Sequence, residues 1–96
     1  MHASALRIEL RVPGVRSLKA KRGVLRPLID DLRTTFGASV AEVGFQDQWQ
    51  RATVGVGLVA SSHADLTRRA LAIRRHLERR DSIEVLDVVT SYLEGV

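Results

Sequence analysis

Apolar and polar positions alternate along the start of the chain with a period of two. In "ALRIELRV", residues 5–12, Leu6, Ile8, Leu10 and Val12 point one way while Arg7, Glu9 and Arg11 point the other. That alternation predicts a strand covered on one face only. Pro13-Gly14 ends it, and the period lengthens. Leu18, Leu25, Leu28, Ile29 and Leu32 recur at helical spacing behind Ser17, a residue suited to capping. Pro27 inside this helix predicts a kink, since proline lacks an N–H and crowds the carbonyl of Gly23. Phe36-Gly37 closes the helix, with Gly37 fitted to the left-handed cap. Residues 39–46, "SVAEVGFQ", predict a second strand, and residues 51–60, "RATVGVGLVA", a third with Val54, Val56, Leu58 and Ala60 on one face. From Ser62, the expected N-cap, with Asp65 at the third position, helical spacing returns in Leu66, Ala70, Ile73 and Leu77. Residues 82–93, "SIEVLDVVTSYL", predict a fourth strand, and the first four and last two residues are expected to fray.

The order βαββαβ, joined by right-handed crossovers, predicts an α+β, ferredoxin-like domain spanning residues 1–96. Its antiparallel four-stranded sheet should run 4-1-3-2, with both helices on one face and strands one and three central. Ninety-six residues suit one domain with one core. The chain has no cysteine, which excludes disulfides, thiol catalysis and cysteine-ligated metal sites. No apolar run approaches a membrane span, and "MHASALRIEL" lacks the signal-peptide pattern, so a cytoplasmic protein with no membrane partner is expected.

Charge sharpens this picture. The net charge is +4, carried by thirteen arginines and two lysines. Residues 17–35 carry +3 and residues 62–80 carry +4, so the excess lies on the helical layer. A solvated helix face explains this, and so does a phosphate-tracking surface. Arg16, Lys19, Lys21 and Arg22 crowd the start of the first helix, where cations oppose the helix dipole and an anion would relieve them.

Catalytic constellations are weak. The acylphosphatase arrangement needs an asparagine on a later strand, and this chain has none. His2, His63 and His76 fall at a frayed end, a helix start and a charged helix face, without carboxylates at ligand spacing, so no metal and no cofactor are expected. Ser61, Ser62, His63 and Asp65 are explained by capping, and Asp30-Asp31 point apart on their helix. "GVGL" lies within a strand and forms no phosphate loop. Strands one and three carry no aromatic residue, unlike an RNA-recognition motif. The expectation is a non-enzymatic protein.

Two surfaces invite partners. Gly55 and Gly57 share the outer face of strand three, where missing side chains leave a furrow flanked by Arg7 and Arg11, or merely accommodate twist. In strand four, Ile83, Val85 and Val89 alternate with Leu86, Val88 and Thr90, so part of the outer face is apolar. Trp49, the only tryptophan, sits in "QDQWQR" between two strands. Its indole either folds over its own hairpin or stands exposed as an anchor or stacking surface, and the sequence leaves both open.

Three elements carry a family resemblance over nearly the whole chain: Ser17-Leu18-Lys19-x-Lys21-Arg22, Val40-Ala41-Glu42-Val43, and Gln46-Asp47-x-Trp49-Gln50-Arg51-Ala52. Together they resemble the YlxP-like family, small bacterial proteins with a domain of unknown function. Pro27 departs from that family's continuous first helix. The resemblance implies a ferredoxin-like fold. It also implies, through genes often encoded beside translation-initiation and ribosome-maturation factors, work near RNA or the ribosome. It supplies no catalytic residues. The leading expectation is a factor binding RNA or the small ribosomal subunit through Arg16, Lys19, Lys21 and Arg22, with Trp49 and Arg51 as a second contact region. The alternative is a homodimeric interaction module joined through the sheet face at Gly55, Gly57 and Val85, or through an edge strand.

Overall fold

A computed structural model describes residues 1–93. The elements are β1 (His2–Arg11), α1 (Leu18–Phe36), β2 (Ser39–Gly44), β3 (Arg51–Ala60), α2 (His63–Glu78) and β4 (Glu84–Leu93). The strands form one antiparallel sheet in the order β2-β3-β1-β4, the expected ferredoxin-like topology. Leu6, Ile8 and Leu10 of β1 and Val54, Val56 and Leu58 of β3 meet Leu25, Leu28 and Leu32 of α1 and Leu66, Ile73 and Leu77 of α2 in one core. Burying a side chain of this size stabilises by about 1.5–3 kcal/mol, so the period-two and helical patterns are enforced together.

The expected caps form. Ser17 Oγ accepts from Ala20 N at 3.0 Å, Ser62 Oγ accepts from Asp65 N at 3.1 Å, and Gly37 takes the left-handed conformation at φ 60°. Three expectations change. Residues 2–4 do not fray, because β1 pairs with β3 out to His2↔Ala60 and with β4 out to Ala3↔Leu93. The expected fraying of the last two residues lies outside the described residues. Helix α1 continues through Pro27; Pro27 and Gly23 are both exposed, so the carbonyl that loses its partner is close to water. Strand β2 ends at Gly44, because Phe45 turns the chain at φ 57°.

The third correction concerns Val85. The β1–β4 register steps from Glu9↔Asp87 to Leu10↔Val85, leaving Leu86 as an extra residue in a β-bulge. The bulge turns Val85 inward with Val88, and both pack against the core. Val89 points outward, opposite Arg7. Strict alternation therefore fails in β4, and Val85 is no part of the open sheet face.

Candidate nucleic-acid interface

The loop between β1 and α1 and the turn between β2 and β3 meet at one end of the sheet. Val12 N donates to Gln50 O at 2.9 Å, and Gln50 Nε2 donates to Val15 O at 3.1 Å. These bonds set Trp49 beside the segment that leads through Arg16 into α1. The turn is also held from beneath. Lys21, only 2% exposed, places Nζ 2.8 Å from Glu42 Oε2 and donates to Phe45 O at 2.7 Å. Phe45 is a non-glycine residue in the left-handed region, a conformation that persists only where its surroundings hold it. The Lys21 bond to its carbonyl and the Arg51 guanidinium, 4.6 Å from its ring centroid, are those surroundings.

Lys21 is therefore not a surface cation. It lies on the inward stripe of α1 with Leu25, Leu28 and Leu32. The spacing of these four residues is legible in the sequence; only the habit of assigning lysine to the surface hides it. A buried ammonium needs a counter-ion, and Glu42 supplies it from β2.

The remaining expected contacts stay available. Arg16, Lys19 and Arg22 are exposed, as is Arg26, which lies outside the expected cluster at the helix start. Lys19, Arg22 and Arg26 line an open hollow of about 600 Å³ with Gly23 and Pro27. Gly23 has nothing within 4 Å of a would-be Cβ, so the floor between the cations is flat. The signal was the i, i+3, i+7 spacing of three cations, which aligns them on one helix stripe. Among the described residues, Arg16, Lys19, Arg22, Arg26, Arg75 and Arg79 make no ion pair or side-chain hydrogen bond, whereas the other arginines are engaged. Four of these six cations lie in or just before the first half of α1.

Trp49 answers the question the sequence left open, for it is 50% exposed. With Asp47, Gln48, Gln50 and Arg51 it lines a second shallow hollow of about 370 Å³. Arg51 is only partly available, since its guanidinium lies 3.9 Å from Glu9 as well as over Phe45. Asp47 is the acidic residue of this turn, so the turn contributes a ring and amides more than positive charge.

The sheet's outer face is a separate surface. A Cβ on Gly55 would approach Val43 Cγ1 to 3.3 Å, so Val43 covers the furrow there; at Gly57 the nearest contact would be 3.7 Å, to Ser39. An apolar hollow of about 300 Å³ remains around Ala5, Ser39, Ala41 and Gly57. His76 is no free surface histidine. It bonds Asp31 and meets Phe36 edge-on at 5.3 Å, while Arg80 Nη1 reaches the same carboxylate at 3.2 Å. The hydrogen bond from His76, then that from Thr35 and the charges of His76 and Arg80, hold the Asp31 carboxyl below its ordinary 3.8 against the opposing effect of burial. This cluster ties α1 to α2, away from the basic strip. Among the described residues no three His, Cys, Asp or Glu side chains gather as a metal site, and no helix is long and apolar enough to cross a membrane.

Comparison with known proteins adds two findings. Residues 4–90 match a family described as "Protein of unknown function (DUF503)". The chain is 32% identical over 68 residues to the uncharacterized protein YlxP of Bacillus subtilis (strain 168), covering 71% of this chain and 74% of that one.

Proposed function

The chain belongs to the DUF503 family of proteins of unknown function, and from that premise we propose that it is a non-catalytic cytoplasmic factor that binds RNA, with the small ribosomal subunit as its setting. The observation that carries this is the strip of exposed cations, Arg16, Lys19, Arg22 and Arg26, without an ion pair among the described residues, together with the half-exposed Trp49, whose turn is bonded through Gln50 to Val15 just before Arg16. Cations engaged with carboxylates at home gain little by moving to a phosphate; unengaged ones release counter-ions when a phosphate arrives. An exposed indole adds a stacking surface, worth about 1–3 kcal/mol per base and tolerant of sequence. Charge together with one aromatic ring supports single-stranded or loop RNA over a rigid duplex. The strip binds and positions; it carries no paired acid and base of the kind that proton transfer requires.

The test is sedimentation of the tagged protein with lysate on a sucrose gradient, at low salt and at about 0.5 M salt, where phosphate contacts weaken. The expected result is co-migration with the small subunit, lost at high salt and lost at low salt in the triple variant Lys19→Ala, Arg22→Ala, Arg26→Ala. A protein that stays at the top of both gradients overturns the ribosomal setting. RNA itself is tested by titrating Trp49 fluorescence with a single-stranded oligonucleotide. The affinity read from it should fall by roughly 0.7 logarithmic units per phosphate contact for each tenfold rise in salt. No quenching and no binding at low salt would end the proposal.

A further inference from the structure

The outer face of the sheet is uncovered, and its composition differs from that of the helical layer. Register places Ala3, Ala5, Arg7, Glu9 and Arg11 of β1 outward beside Arg51, Thr53, Gly55, Gly57 and Val59 of β3. Flanking them are Ser39, Ala41 and Val43 of β2, and Glu84, Asp87, Val89, Ser91 and Leu93 of β4. One half of this face is apolar. Val43, which lines the hollow over Ala5 and Gly57, and Val59, Val89 and Leu93 on the same face stand 56%, 64%, 40% and 58% exposed. The other half is charged but balanced, with Arg7, Arg11 and Arg51 against Glu9, Glu84 and Asp87. Arg11 already bonds Glu84 through Nε at 3.0 Å, and Arg7 lies 3.7 Å from Glu9.

We infer that this face is a homodimer interface, with a second copy of the chain packed sheet to sheet against it. Charge selects the occupant. A twofold contact sets a surface against its own image, so any net charge on it repels itself. The helical layer, with +3 on residues 17–35 and +4 on residues 62–80, is barred from such pairing. The outer sheet face has three charges of each sign, so it meets its copy without net repulsion, while a polyanion finds no excess of cations there. Shape agrees. The projecting valines and Leu93 are ridges, and the Ala5–Gly57 hollow is a furrow of matching apolar character. Strands spaced about 4.8 Å apart and rising about 3.3 Å per residue give a four-stranded face of roughly 500–600 Å². Two such faces bury on the order of 1,000 Å², the lower limit for a specific contact, so the dimer should be concentration-dependent. Packed this way, the two copies turn their basic helical layers outward on opposite sides, leaving both strips free for RNA.

The test is sedimentation equilibrium of the purified full chain across protein concentration, at low and high salt. The expected mass tends to twice the 10.6 kDa of one chain as concentration rises, and high salt leaves the association unchanged within about threefold. Val59→Arg, at a 64% exposed position, and Gly57→Arg, where a Cβ meets only ordinary contacts, should each weaken association by about 100-fold or more. Circular dichroism checks that both variants fold. A wild-type chain that stays at 10.6 kDa throughout overturns the inference. So does a dimer that survives both substitutions, which would place the contact at a strand edge, and so does a dimer that dissolves in salt, which would place it on a charged surface.

Discussion

Lys21 is a cation placed where α1 meets the sheet, and its chemistry explains an otherwise awkward turn. Its ammonium neutralises Glu42 and holds the carbonyl of Phe45, which lets Phe45 adopt φ 57° and swing Trp49 outward. Removing one partner of a buried pair costs about 3–5 kcal/mol when the other is left dry. The Glu42 side chain is 25% exposed, so water recovers part of that. Lys21→Met should therefore destabilise by about 2 kcal/mol in urea unfolding, and adding Glu42→Gln should restore much of the loss. If Lys21→Met instead left stability intact and removed RNA binding, the ammonium would be a surface contact after all. Lys19→Ala or Arg22→Ala, by contrast, should leave unfolding within about 0.5 kcal/mol, as exposed substitutions usually do.

At the scale of elements, the two helices are fastened to each other as well as to the sheet. Arg69 donates to Phe36 O at 2.7 Å and to Val59 O at 3.1 Å, and the Asp31 carboxylate receives His76 from α2 and Arg80 from just beyond its end. Because the folded protein holds the Asp31 carboxyl below 3.8, its charged form is the stabilising one. Its contribution is present above the ordinary carboxyl pKa and is lost as pH falls through the lowered folded value. The gap in melting temperature between wild type and Asp31→Asn should thus close as pH drops below about 3.8. A gap unchanged between about pH 5 and pH 3 would mean that the charge does not brace the helices. In β4 the bulge at Leu86 predicts a different kind of loss. Val85→Asp should unfold the protein by about 2 kcal/mol or more, since it sets a carboxylate against the core. Val89→Asp, on the outward side, should act on association and leave folding nearly intact.

The whole molecule separates two surfaces across one core. The helical layer holds the excess charge with the unpartnered strip, and the sheet's outer face holds balanced charge with exposed valines. The core lies between them, so substitutions on one side share no contacts with the other and should act independently. Val59→Arg should break the dimer while leaving the salt slope of RNA binding per chain as it was. The triple substitution of Lys19, Arg22 and Arg26 should reduce that slope by roughly 2 and leave the equilibrium mass unchanged. An RNA affinity that collapsed with Val59→Arg would mean that binding needs both strips at once.

The elements, both N-caps, the left-handed Gly37 and the strand order were legible in the sequence, because hydrophobic periodicity and capping are local rules that tertiary packing here obeys. The basic strip was legible in part: Arg16, Lys19 and Arg22 from their density, with Arg26 missed although its spacing was visible. What only the tertiary structure decided are the departures from local rules. A bulge one residue wide turned Val85 into the core and left Val89 outside. Pairing with β3 ordered His2, and pairing with both β3 and β4 ordered Ala3 and Ser4, where a lone terminus would have frayed. A carboxylate from β2 drew Lys21 of α1 inward, and the turn it braces carries Trp49 half-exposed. Each depends on a partner far away in sequence, and periodicity in one segment reports nothing about the charge or register of another.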